Sequence, residues 1–183
     1  MRYRLGDSDN RPTAYARVNR SLARTAADSE LALGLSARPL ARVPVVAAVE
    51  GRVREVRGGA DTRAAALAWT ELPVQSLPLG LRGEAYLQGG YVTGRDATAF
   101  ADGQARIDRE VATFGGGAVR VRAGGGAWGG AQEGAARLDI GPSATMQLDL
   151  GQPAAQVAFE WRFRVAGEAA PASGPAVTVT FGF

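Results

Sequence analysis

The chain has 183 residues, a length suited to one domain, and with 46% hydrophobic and 21% charged residues it is not disordered by charge excess. Cys, His and Lys are all absent, which excludes disulfides, thiolate and histidine zinc sites, Ser-His-Asp and Cys-His nucleophiles, Schiff-base lysines and the P-loop lysine. The net charge is +3, yet the 21 basic residues, all Arg, are scattered among acids rather than gathered in a patch, so no nucleic-acid partner is expected.

From the start, the sequence reads as strands. "MRYRLGDSDN" lacks the apolar core of a signal peptide, and "RYRL" makes a short first strand. Residues 13–24 form an Ala-rich second strand. In 30–37, Leu31, Leu33 and Leu35 oppose Glu30, Ala32, Gly34 and Ser36. In 45–56, Val45, Val49 and Val53 oppose Glu50, Arg52 and Arg54. This period of two is the mark of a strand with unlike faces. Segment 63–74 is weaker. The overlapping stretch 61–72, "DTRAAALAWTEL", is the best helical candidate, with Asp61 as a cap, but its strand-like neighbours favour a strand.

The alternation continues downstream. In 81–92, Leu81, Ala85, Leu87 and Tyr91 oppose Arg82, Glu84, Tyr86 and Gln88. In 104–111, Ile107 and Val111 oppose Arg106, Asp108 and Glu110, with Arg109 spoiling the apolar face. In 118–125, Val119 and Val121 oppose Arg120 and Arg122. In 136–150, Leu138, Ile140, Met146, Leu148 and Leu150 oppose Arg137, Asp139, Ser143 and Thr145. In 154–165, Val157, Phe159, Trp161, Phe163 and Val165 oppose Glu160, Arg162 and Arg164. The last strand, 176–183, alternates Val177, Val179, Phe181 and Phe183 with Ala176, Thr178, Thr180 and Gly182. About eleven strands are counted, within a range of 10–12.

A meander of this length leaves long edges unless it closes, so an all-β, antiparallel up-and-down barrel is expected over 1–183. In a soluble barrel or sandwich binding module the apolar face would line the interior; in a transmembrane barrel it would meet lipid and the charged face would line the lumen. Interspersed opposite charges and strands of 9–11 residues or more favour the transmembrane form. The absence of Lys adds little, because base composition also trades Lys for Arg.

The closing segment "AVTVTFGF" resembles the C-terminal strand of bacterial outer-membrane β-barrel proteins, with its alternate aromatics and terminal Phe. The resemblance implies an outer-membrane location and the lipid bilayer, lipopolysaccharide and barrel-assembly machinery as partners. It makes Phe181 and Phe183 part of the assembly signal, and Phe159, Trp161 and Phe163 lipid-facing. With residue 183 taken as periplasmic, the polar connections "TAADS", "RGGADT", "TGRDATAF", "GGAQEG" and "GEAAPASGP" all fall outside. "RPLARVP", "QSLPLG", "FGGG" and "LGQPA" fall inside. The odd strand count then suggests that a longer parent chain supplies a signal peptide and a further strand.

The lumen-lining candidates are Glu50, Arg52, Arg54, Arg82, Glu84, Arg106, Asp108, Glu110, Arg120, Arg122, Arg137, Asp139, Glu160, Arg162 and Arg164. Arginine rings would favour an anionic solute or polysaccharide. The competing reading, which the strand count favours, is a salt-bridged filling of a narrow barrel that serves as pore, export conduit or anchor. No enzyme is expected: Asp108 and Glu110 are carboxylates without a spacing that singles them out. No cofactor is expected either. Gly124, Gly126 and Gly129 match G-x-G-x-x-G, but a strand follows where a dinucleotide site needs a helix. Trp69, Tyr91, Phe159, Trp161 and Phe163 are candidates for interfacial girdles or for plain apolar burial.

Overall fold

A computed structural model describes residues 2–20, 29–56, 59–95, 97–149, 151 and 154–181. The chain is all-β. Its strands are β1 (Arg2–Arg4), β2 (Thr13–Arg20), β3 (Ser29–Ala37), β4 (Val45–Val56), β5 (Gly59–Thr70) and the two-residue β6 (Gln75–Ser76). They continue with β7 (Leu81–Val92), β8 (Thr98–Phe114), β9 (Val119–Gln132), β10 (Ala135–Leu148), β11 (Ala155–Gly167) and β12 (Gly174–Phe181). Sheet order follows chain order from β1 to β12, with β6 set aside as a short partner of β7. The path is open, with β1 and β12 at its ends, so barrel closure is not observed among the described residues. Phe183, Gly182, Leu150 and most of "TAADS" lie outside those residues.

The stretch 61–72 falls largely in β5 and is extended, in full register with β4 from Val45↔Thr70 to Val56↔Gly59. Pairing with a formed neighbour overrides the helix propensity of its alanines. Two strands run beyond the expected limits. β8 begins at Thr98, taking in the end of the expected loop "TGRDATAF", and β9 continues to Gln132, leaving only Glu133 and Gly134 of "GGAQEG" to turn. Ala and Gly make up much of these extensions, and the few larger side chains, Phe100, Asp102 and Trp128, do not set an apolar face against a polar one.

Contacts divide the chain into two compact units, Met1–Glu71 with Leu87–Ala101, and Leu72–Tyr86 with Asp102–Phe183. Both units bury the charged face of their strands and expose the apolar one. β11 states the rule most plainly: Ala158 is 3% and Glu160 6% exposed, whereas Phe159 is 50%, Trp161 48% and Phe163 49%. In β4, Val46, Ala48 and Glu50 are buried and Val49 and Val53 exposed; in β8, Arg106 and Asp108 are buried and Ile107 exposed. Most of the buried residues are small or charged; Val46, Val92 and Trp128 are the larger apolar ones among them. Among the described residues no leucine is buried.

Small residues set how closely the charged face packs. In the first unit, register aligns Tyr15, Gly34 and Glu50 across β2, β3 and β4. The Tyr15 ring lies over Gly34, where a Cβ would meet Tyr15 Cζ at 2.6 Å and the Val49 carbonyl oxygen at 2.9 Å. In the second unit, Gly124 admits the β8 backbone, since a Cβ there would come within 2.0 Å of the Ile107 oxygen. On the exposed face of the first unit, Ala14, Ala16, Gly51, Ala64 and Ala66 leave a shallow apolar groove of about 880 Å³ between Leu33, Leu35, Val49 and Tyr91.

β10 carries two local breaks. Its ladder to β11 omits Gly141 and Pro142, Pro142 having no N–H to give. A bulge at Leu138/Asp139 brings Arg164 opposite Asp139.

Gly34→Ala is expected to lower the stability of the folded protein by about 1–3 kcal/mol through overpacking of Tyr15. Gly51→Ala, whose Cβ meets nothing within 4 Å, is expected to change it by less than about 0.5 kcal/mol. Urea unfolding midpoints of the two variants, measured side by side, check both.

Candidate functional site

The charged faces build two clusters, one in each unit. In the first, the Glu50 carboxylate is the hub. Tyr15 Oη donates to its Oε1 at 2.7 Å, and Arg17 Nη2 and Arg52 Nε donate to its Oε2 at 3.0 and 2.7 Å. A carboxylate 5% exposed needs such partners, because leaving it unpaired in a low-dielectric site costs several kcal/mol. Beside it on the same faces, Arg63 Nε pairs with Asp61 Oδ2 at 2.6 Å, and Arg54 lies on the Glu50 face of β4.

The second cluster is a continuous relay. Arg122 Nε donates to Asp108 Oδ1 at 2.5 Å, and Arg82 Nε stands 3.6 Å from the same oxygen. Arg82 Nη2 reaches Glu84 Oε2 at 3.3 Å, and Arg106 Nε donates to Glu84 Oε1 at 2.7 Å. Arg106 Nη1 then lies 3.5 Å from Glu160 Oε1, and Arg162 donates to Glu160 Oε2 at 2.9 and 2.5 Å. The Arg162 guanidinium covers the Trp128 ring, 4.8 Å from its centroid, a favourable cation–π placement. Four guanidiniums meet three carboxylates, leaving one positive charge in excess.

The Arg106–Glu160 contact joins β8 to β11 over β9 and β10. Register explains how. Glu160 pairs with Ser143, and Ser143 with Gly124. Two small residues therefore lie beneath the bridge, and the long side chains close over them. The contact is a crossbar along the charged face of the sheet.

A third group stands at the end of β10. Arg137 Nε donates to Asp139 Oδ2 at 2.5 Å. Arg137 Nη1 donates to the Pro171 carbonyl at 2.5 Å, and Arg164 Nη1 to the Ala169 carbonyl at 3.1 Å. These inward-facing arginines thus hold the connection between β11 and β12.

Of the residues expected to line a lumen, Glu50, Arg52, Arg82, Glu84, Arg106, Asp108, Arg122, Arg137, Asp139, Glu160 and Arg162 enter ion pairs on the charged face. Glu110 is exposed and accepts from Thr113 Oγ1 at 2.7 Å. Arg120 is exposed and lines a polar hollow of about 540 Å³ with the Gly115–Gly117 turn and Asp149. Phe159, Trp161, Phe163 and Phe181 stand on the exposed side, and Phe183 lies outside the described residues. Among the girdle candidates, Tyr91 is exposed like Trp161.

Tyr15, Arg17 and Trp128 were not singled out by the sequence. Tyr15 and Arg17 share a phase in β2 that its many alanines mask, and Trp128 shares the phase of Arg120 and Arg122, hidden by the surrounding glycines. Among the described residues no cluster of three or more acids is arranged to hold a metal ion.

Glu160→Gln is expected to destabilise the fold by about 3 kcal/mol, because Arg106 and Arg162 lose a buried partner. In the Arg106→Gln/Glu160→Gln double variant part of that loss is expected to return. The coupling, read from a urea double-mutant cycle, should fall between about 0.5 and 3 kcal/mol.

Set against protein-family models, curated proteins and solved structures, the chain finds no match.

Proposed function

We propose that the chain forms a membrane-spanning β-barrel of the bacterial outer-membrane type, with the charged face as a narrow, ion-paired lumen. The observation that carries this reading is the inverted burial. Carboxylates and guanidiniums are enclosed, while Leu, Ile, Val, Phe and Trp of alternate positions stand outward from β3 to β12. Soluble monomers rarely expose contiguous apolar patches beyond about 300–600 Å². Lipid is the environment in which an outward apolar face and an inward polar face are both satisfied. Strand lengths agree: β4, β5 and β7 have 12 residues each and β11 has 13, enough for a tilted crossing of about 9–11.

In this reading β12 closes the sheet, directly or through a further strand, and its aromatic edge is read by the assembly machinery. Bilayer lipid and lipopolysaccharide cover the exposed face. Acyl chains fill the shallow groove between Leu33, Leu35 and Tyr91.

The crossbar decides what kind of barrel it is. Eight strands leave an interior filled by side chains and about sixteen an open channel. With intermediate strand number and a bridge from Arg106 to Glu160, the protein is a narrow barrel that anchors or passes small ions. The surplus guanidinium gives those ions a preference for negative charge.

Two measurements test this. The full chain should require detergent for extraction and should migrate faster on a gel before boiling than after; recovery in the soluble fraction without detergent contradicts the proposal. In planar bilayers the wild type should give small, anion-preferring steps, and Arg106→Gln/Glu160→Gln should enlarge them. Steps of equal size in both contradict the crossbar as the constriction.

A further inference from the structure

Three buried side-chain polar atoms of the second unit have no hydrogen-bond partner among the described residues: Arg82 Nε, which stands beside the Asp108 carboxylate, and Trp128 Nε1 and Asp139 Oδ1, whose residues face each other in register. Trp128 is 5% exposed and its Nε1–H is unsatisfied; Asp139, opposite it on β10, is 1% exposed and its Oδ1 is unsatisfied. A buried polar atom left unpaired is destabilising unless something pairs with it. Of the facing pair, one is a donor and the other an acceptor.

The row continues to Arg164, which the bulge at Leu138/Asp139 sets opposite Asp139. Arg137 and Arg164 both spend guanidinium donors on backbone carbonyls of the connecting loop, at Pro171 and Ala169. The loop is also tied by the Ala169 amide to the Ala136 carbonyl at 3.2 Å and by Ser173 Oγ to the Arg164 amide at 2.9 Å. A neutral carbonyl is a weaker partner for a guanidinium than a carboxylate, whose charge-assisted bonds are about twice as strong. An incoming carboxylate can therefore take both arginines from the loop. Arg162, over the indole, adds a third positive charge; Asp139 and Glu160 supply two negative ones.

We propose that this row, closed by residues 168–173, is a binding site for a sugar acid, a proposal that rests on reading the charged face as a lumen. The ligand carboxylate pairs with Arg137 and Arg164. A ligand hydroxyl accepts from Trp128 Nε1–H and donates to Asp139 Oδ1, which a hydroxyl does and a simple carboxylate does not. Binding frees the loop from its two arginines, and that release gives the ligand access to atoms that solvent does not reach.

The test uses the folded full chain in micelles, titrated with D-glucuronate, D-glucose and acetate, with hydrogen exchange followed at 168–173. Glucuronate should bind saturably, and acetate and glucose should bind about ten-fold or more weakly than glucuronate. Arg164→Gln and Trp128→Phe should each weaken glucuronate by a similar factor, and Arg38→Gln, which pairs with Glu71 in the first unit, should not. Exchange at Ala169 should speed up with glucuronate. No saturable binding overturns the proposal and leaves water as the partner of Trp128 Nε1 and Asp139 Oδ1. Equal binding of acetate and glucuronate overturns the hydroxyl contact, and unchanged loop exchange overturns the release. If Arg164→Gln fails to fold, the ligand comparison on the wild type still decides. Extraction and gel migration report separately on the membrane reading, so its failure is distinguishable from this one.

Discussion

A strand cannot enclose one side chain without turning its neighbour outward. In this chain the enclosed positions carry Glu50, Arg106, Asp108, Asp139 and Glu160, so the outward ones carry the aliphatic and aromatic residues. Burial of a carboxylate at any one of these sites fixes the phase of its whole strand. The phase in turn decides which residues meet the surroundings. A slip of one residue would expose the charges and enclose Phe159, Trp161 and Phe163, breaking every ion pair on that strand at once.

Charge burial of this kind works only as a network. Removing two ions from water costs more than one contact returns, unless the remaining lone pairs and protons are also met. Three of the buried acids have two or more partners: Glu50 takes Tyr15, Arg17 and Arg52, Asp108 takes Arg82 and Arg122, and Glu160 takes Arg106 and Arg162; Asp139 has Arg137. Space for these long side chains comes from Gly34, Gly124 and Ser143, which lie beneath them. The glycines and the charges are two halves of one arrangement. The exceptions are Arg82 Nε, which still stands 3.6 Å from the Asp108 carboxylate, and Trp128 Nε1 and Asp139 Oδ1, which interrupt an otherwise well-paired surface.

Most of the sheet was legible in the sequence because large apolar and charged residues alternate there. The faces of 45–56, 136–150 and 154–165 can be assigned residue by residue from that contrast. Legibility fails where Ala and Gly dominate and apolar and polar residues do not alternate. "GAWGGAQ" at the end of β9 and "TAFADG" at the start of β8 offer no contrast, and the strands there are held by partners distant in sequence. The charged residues were identifiable as one face. Their pairing was not, because Arg106 meets Glu160 through the register of two intervening strands, and Tyr15 meets Glu50 only where a glycine separates them. Trp128 reads as an outward aromatic by type and is an enclosed one by phase.

The central claim is that apolar positions face lipid and charged positions do not. The chain has no Cys, so single cysteines can be introduced at consecutive positions 158–163 and labelled with an environment-sensitive fluorophore. In liposomes containing a quencher on the acyl chains, labels at 159, 161 and 163 should be quenched strongly and those at 158, 160 and 162 weakly. Quenching that is uniform, or strongest at 158, 160 and 162, would contradict the account.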